Sequence, residues 1–107
     1  MAYSLILSTA SAKEEAQEIA RTLVERKLVA CVNIVGPIES IYRWKGEVEN
    51  SQEFLLLIKT ESEKFEAVRE AIQALHSYEV PEVVQIPIEN GLRSYLTWIT
   101  ESVGSGS

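Results

Sequence analysis

The feature that most constrains the fold of this chain is a long alternating run that turns back on itself. Between Ala30 and Trp44, Ala30, Val32 and Ile34 share one face of a strand. Gly36-Pro37 then interrupts the ladder, because proline cannot donate to it and glycine invites a bulge. Beyond the fault, Ile38, Tyr42 and Trp44 share a face, with Ser40 among them. Lys45-Gly46-Glu47 carries the signal of a tight turn, the glycine supplying positive φ. The chain returns through Val48 and then Phe54 to Lys59. Glu49-Asn50-Ser51-Gln52 in between is polar, which predicts either an exposed stretch of strand or a local irregularity. This hairpin is longer than a domain of 107 residues needs for its own sheet. A protruding ribbon leaves backbone edges for pairing with another subunit.

The flanking segments supply the rest of a single domain. Tyr3 to Ser8 reads as a short buried strand. Ser11-Ala12-Lys13-Glu14 has the pattern of a capping box, and Ala16, Ile19, Ala20, Leu23, Val24 and Leu28 follow at helical spacing. Thr60-Glu61-Ser62-Glu63 repeats the capping pattern before a second stripe of Phe65, Val68, Ile72 and Leu75, with Ala71 beside it. That helix ends near His76, and Val80-Pro81 prevents its continuation. Val83 to Ile88 is a further strand, placed at a sheet edge by Pro87. Asn90 is the expected cap of a last helix bearing Leu92, Tyr95, Leu96 and Ile99. The domain is assigned to residues 1–103, and residues 104–107 are read as a flexible Gly/Ser tail. Strand, helix, strand, strand, helix, strand and terminal helix is the order of an α+β, ferredoxin-like split βαβ fold. Right-handed crossovers put both main helices on one face of an antiparallel sheet.

Composition narrows the function. The net charge of −6 offers no cationic footprint for phosphate backbones, so nucleic acid is not an expected partner. No apolar run approaches the ~20 residues of a membrane span, and no signal peptide is evident, so a soluble, cytoplasmic protein is expected. A lone Cys31 excludes an internal disulfide. No cofactor is required for folding at this size. The chain shows no phosphate-binding loop, no Cys/His zinc spacing and no nucleophile paired with a base. Ser8 to Ala12 lacks the glycine-rich loop and arginine that an acylphosphatase needs. An enzyme is not expected.

Five segments together resemble one family. They are Ala30-Cys31-Val32-Asn33, Ser40-Ile41-Tyr42-Arg43-Trp44-Lys45-Gly46, Leu57-Ile58-Lys59-Thr60, His76-Ser77-Tyr78-Glu79-Val80-Pro81-Glu82 and Tyr95-Leu96-Thr97-Trp98. In this order, over roughly the whole chain, they are similar to the CutA divalent-cation-tolerance proteins. The resemblance implies a homotrimer whose ribbons pair edge to edge, a likeness to the PII signalling proteins, and a link to copper binding and metal tolerance. Family members credited with copper binding carry a cysteine in the first strand and a His-His pair after the second helix. Here Ser8 and Leu75-His76 occupy those positions.

The resemblance therefore leaves His76 as the implied ligand for Cu2+ or another divalent cation, with Glu79 and Glu82 near it in sequence. The alternative for His76 is to bond the last carbonyls of its helix. Cys31 is either a small buried hydrophobe or a soft metal ligand at a subunit junction. Tyr42, Trp44, Lys59, Tyr78 and Glu79 either knit the trimer interface or line an inter-subunit pocket. In the pocket, Lys59 would hold an anion and Glu79 would orient it or balance its charge. Two functions follow, a trimer that binds and responds to metal ions, and a PII-like small-molecule sensor or adaptor with clefts between subunits.

Overall fold

A computed structural model of the chain describes residues 2–104. Four strands form one antiparallel sheet in the order β2-β3-β1-β4. They are β1 (Tyr3–Ala10), β2 (Cys31–Trp44), β3 (Glu47–Glu61) and β4 (Val84–Ile88). Helix α1 (Lys13–Glu25) joins β1 to β2, and α2 (Phe65–Leu75) lies between β3 and β4. Helix α3 (Arg93–Val103) closes the chain. The α+β split βαβ architecture is thus as the sequence predicts, and Pro87 does lie in an edge strand.

Alternation divides the sheet into two unlike faces. Ile6 and Ala10 of β1, and Leu56 and Ile58 of β3, pack against Ala16, Ile19 and Leu23 of α1 and Val68 and Ile72 of α2. This is the core. The other face carries Leu5, Leu7, Leu55, Leu57, Val35, Val84 and Ile86, brought together by the strand registers. Only one end of that second face is covered within the chain. There α3 lays Leu96, Ile99 and Val103 against Tyr3, Ala30 and Cys31. A hydrogen-bond relay fixes it: Tyr3 Oη lies 2.6 Å from Thr100 Oγ1, which donates to Glu61 Oε2 at 2.9 Å.

The Gly36-Pro37 fault is a bulge. The register steps from Val35↔Leu55 to Ile38↔Glu53, so Gly36 and Pro37 stand against Phe54 alone. The Gly36–Pro37 peptide is cis. Glycine is needed at 36 because a Cβ there would lie 2.5 Å from Phe54 Cδ2. The extra residue reverses the parity of the strand. Even-numbered residues face the helices before the bulge and the open face after it. Beyond the bulge, β2 and β3 continue as a two-stranded ribbon to the turn at Lys45 (φ 51°) and Gly46 (φ 84°). Both central residues are left-handed, the geometry that matches strand twist in a two-residue hairpin. Glu49 to Gln52 is regular strand paired with Glu39 to Tyr42, and the irregularity lies on β2, opposite Phe54.

Several helix-end expectations are corrected. Ser11 does not pair with Glu14. Its Oγ and backbone N–H both reach Glu15 Oε1, at 3.3 and 3.4 Å, while Ala12 is the cap without a side-chain bond. Thr60 belongs to β3, where its hydroxyl donates to Leu28 O at 2.7 Å, and a short 3-10 turn (Ser62–Lys64) intervenes before α2. Leu92, not Asn90, precedes α3, and Leu92 and Tyr95 are exposed. Val103 belongs to α3 and is buried. The tail assigned to residues 104–107 lies, after Gly104, outside the described residues.

Ser8 is wholly buried against this core, and among the described residues its hydroxyl has no hydrogen-bond partner. Removing an unsatisfied buried hydroxyl relieves its desolvation cost. Ser8→Ala is therefore expected to raise unfolding stability by about 1 kcal/mol. Chemical denaturation of the two proteins side by side checks this, and a loss of stability would show that the hydroxyl is satisfied.

Candidate functional site

The parity change at the bulge builds the site. It sends Ile38, Ser40, Tyr42 and Trp44 to the open face, where they form one wall of a cleft of about 870 Å³. Thr9, Glu53 and Leu55, from the ends of the sheet core, supply its floor. The segment from Ser77 to Glu82, between α2 and β4, supplies the opposite wall. Tyr42 is braced by a 3.1 Å contact between its Oη and Ser51 Oγ.

Floor and loop are tied by one strong bond. Tyr78 Oη donates to Glu53 Oε2 at 2.6 Å. Burial first, and then the Glu53 carboxylate, push the Tyr78 phenol well above its ordinary range, so it remains a donor. Glu53 is 7% exposed. Nothing in its sequence context marks it as a site residue. Alternation along the unbroken β3 puts it on the same side as Leu55 and Leu57, and the register after the bulge, Ile38↔Glu53, brings the ribbon wall over it.

His76 holds the loop in place. Its side chain is fully buried, and both ring nitrogens are used. Nδ1 accepts the Tyr78 backbone N–H at 3.0 Å, which leaves Nε2 to donate to Thr9 O at 2.6 Å. The ring also lies 4.6 Å from that of Tyr78. The histidine thus bonds β1 rather than the final carbonyls of its own helix. Glu15 adds a second tie from α1, accepting the Ser77 N–H at 2.7 Å. Burial raises the pKa of Glu15, but the hydrogen bonds donated by Ser77, the electrostatic influence of the His76 ring and the bond from the Ser11 N–H together outweigh it and hold the carboxyl below its ordinary value.

The residues singled out from sequence do not all meet. Tyr42, Trp44, Tyr78 and Glu79 converge on the cleft. Lys59 does not line it. It lies six residues along β3 from Glu53, about 20 Å away at ordinary strand rise. There it donates to Asn33 Oδ1, with Cys31 Sγ at 3.9 Å from Nζ. Cys31 is half-buried on the open face beside α3. His76, Glu79 and Cys31 therefore stand apart within one protomer. Among the described residues no group of three or more His, Cys, Asp or Glu side chains is placed to hold a metal ion. A three-ligand metal centre does not fit a single copy.

Comparison with known proteins decides the family. The model of the CutA1 divalent ion tolerance protein family matches residues 4–102. The chain belongs to that family. A divalent-cation tolerance protein CutA of Thermus thermophilus is 50% identical to this CutA1-family chain over 100 residues, covering 94% of it and 97% of the relative. The solved structure of a periplasmic divalent cation tolerance protein CutA from Archaeoglobus fulgidus matches with a TM-score of 0.92 and 48% identity, over 94% of this chain and 98% of that one. A relative from Arabidopsis thaliana, 42% identical over 92% of this chain and 54% of its own length, is named chloroplastic. Relatives thus carry names from different compartments. Among the described residues no helix is long and apolar enough to cross a membrane. The family is named for tolerance of divalent ions and not for a catalysed reaction.

Two substitutions test the latch on the loop. His76→Ala leaves a buried carbonyl and a buried N–H unpaired and is expected to cost about 2–4 kcal/mol of stability, measured by denaturant unfolding. The depressed Glu15 pKa contributes stability that is complete above the ordinary carboxylate value of 4.5 and lost as pH falls through the lower folded value. The stability gap between the parent and Glu15→Gln should therefore be constant near neutrality and close in acid. A gap independent of pH would exclude this linkage.

Proposed function

We propose that this chain serves divalent-cation tolerance as a cytoplasmic homotrimer, and that copper(II) is bound at the junctions between its copies. The observation that carries the assembly is the uncovered half of the sheet. Val35 is 44% exposed and Ile86 43%, with Leu5, Leu7, Leu55 and Leu57 among them. Contiguous apolar surface of this kind favours burial against another copy. The ribbon adds to it on both sides, with Tyr42 and Trp44 on one face and Ile41 and Val48 on the other. Three is the number that the family resemblance implies.

The metal follows the same surface. Glu79 at the cleft and Cys31 beside α3 both belong to the side that assembly would cover, so donors from different copies can share an ion. Thiolate and imidazole suit copper. His76 joins them only by giving up its two ring bonds, so it is the ligand of last resort. A second reading is a PII-like sensor of small molecules, favoured by the volume of the cleft.

Assembly and metal are tested separately. Trp44→Asp places a charge in the proposed interface and is expected to convert a trimer to smaller species in light scattering. A full trimer in that variant would displace the interface from the ribbon. Copper titration by calorimetry is expected to show saturable binding that weakens about tenfold in Cys31→Ser and in Glu79→Gln, as loss of one ligand would produce. Binding that is identical in the parent, both variants and His76→Ala would reduce the copper contact to general attraction by an acidic surface.

A further inference from the structure

The side-chain amide of an asparagine is open to attack by the backbone nitrogen of the residue that follows it, which closes a five-membered imide ring. The reaction needs a free N–H, a side chain free to rotate, and no Cβ on the following residue to block the approach. The chain has three asparagines, Asn33, Asn50 and Asn90. Two of them are held. Asn33 pairs with Leu57 in the sheet, its Oδ1 accepts from Lys59, and the residue after it is β-branched Ile34, itself paired with Leu56. Asn50 pairs with Ile41, its Nδ2 donates to Glu39 Oε2 at 2.8 Å, and Ser51 after it is paired with Ser40.

Asn90 meets all three conditions. It lies with Gly91 in the short link between β4 and α3, outside any ladder or helix, and both residues are exposed. Among the described residues neither the Asn90 side-chain amide nor the Gly91 N–H has a hydrogen-bond partner. Packing fixes the glycine. A Cβ at 91 would lie 3.0 Å from Leu96 Cδ2, and Leu96 is one of the side chains by which α3 rests on Tyr3, Ala30 and Cys31. The pair stands at the end of the sheet away from the cleft, since β1 meets Ile88 through Tyr3 at this end and Phe54 through Ala10 at the other. Ring closure is internal to the chain and draws on no pocket.

We propose that Asn90-Gly91 is a site of spontaneous deamidation in the folded protein, and that the isoaspartate formed there loosens α3. The Gly91 nitrogen bonds to Asn90 Cγ as the Cγ–Nδ2 bond breaks, and Nδ2 leaves as ammonia with the Gly91 proton. Water then opens the imide. Breaking the new N–Cγ bond gives aspartate, and breaking the bond from that nitrogen to the Asn90 main-chain carbonyl carbon gives isoaspartate. The net change is amide plus water to carboxylic acid plus ammonia, with nothing oxidised or reduced. The two products act differently. Aspartate adds a negative charge two residues before Leu92, at a helix end with no side-chain cap bond and no acid in its first turn, where the helix dipole favours it. Isoaspartate adds one carbon to the main chain immediately before the point where Leu96 packs on Gly91. Helix α3 is held by Leu96, Ile99, Val103 and the Thr100 relay alone, so a displaced start loosens it before the core. This site is independent of the metal and small-molecule readings.

The intact assembled protein is incubated at physiological temperature and mildly alkaline pH, and sampled over weeks by peptide mass mapping. Isoaspartate is read by methyl transfer from S-adenosylmethionine with an isoaspartyl methyltransferase. The peptide carrying Asn90 is expected to gain one mass unit about tenfold faster, or more, than those carrying Asn33 and Asn50, and to become the methyl acceptor. Asn90→Gln would have to close a larger ring and is expected to remove both signals from that peptide. Gly91→Ala keeps the asparagine and is expected to slow the reaction several-fold. Hydrogen exchange of the α3 amides is expected to rise several-fold in the isoaspartyl fraction and to keep the parent rate in Asn90→Asp. An Asn90 peptide that keeps its amide as long as the Asn50 peptide, or loses it without accepting methyl groups, would overturn the site. Equal α3 exchange in the isoaspartyl fraction and the parent would overturn the loosening.

Discussion

The pairing of β1 with β3 is the interaction on which the rest of this molecule depends. Ile6 against Ile58 and Ser8 against Leu56 set one register, and that register assigns every side chain of the central strands to a face. One face meets the amphipathic stripes of α1 and α2 and becomes the core. The other receives Leu5, Leu7, Leu55 and Leu57 with only α3 to cover part of it. A slip by one residue would exchange these two sets. The interior and the surface proposed for assembly are therefore products of the same pairing.

Function enters where that regularity is broken. Gly36 and Pro37 opposite Phe54 add one residue to β2, and the parity change places Tyr42 and Trp44 over the open face instead of the helices. Glu53, on the unbroken β3, already faces that side by alternation with Leu55 and Leu57, so the break brings the aromatic wall to it. His76 and Glu15 then bring the segment after α2 over this floor through bonds to the Thr9 carbonyl of β1 and to the Ser77 and Tyr78 N–H groups of the segment itself. In this protomer the single histidine is a structural brace, with both nitrogens committed. Copper chemistry at His76 would require that brace to be released.

Sequence periodicity reveals most of the architecture, because helices and strands here follow their apolar spacing closely. The two helical stripes, the bulge, the Lys45-Gly46 turn and the edge position of Pro87 are all local signals with local causes. The helix caps depart from the capping-box pattern because Ser11 and Thr60 each have a competing partner. Glu15 lies one residue beyond the capping-box position, and Leu28 offers a carbonyl from a distant loop. The cleft is half legible. Tyr42, Trp44, Tyr78 and Glu79 stand in family-like segments, whereas Glu53 and Thr9 become site residues only through registers that no local pattern encodes. Lys59 appears in a family-like segment too, yet six residues of extended strand separate it from the cleft floor.

The ribbon also acts as a lever. The molecule extends 45 Å along one axis and 21 Å along the shortest, and much of that length is the arm beyond the bulge. From Ile38 to Trp44 the arm is about 20 Å long at ordinary strand rise, so a rotation of about 10° at its base would carry Trp44 about 3 Å. That distance is close to the thickness of an aromatic ring. The contact between Gly36 and the Phe54 ring therefore sets the width of the cleft from its far end, and packing at one glycine governs how far apart two walls stand at the tip.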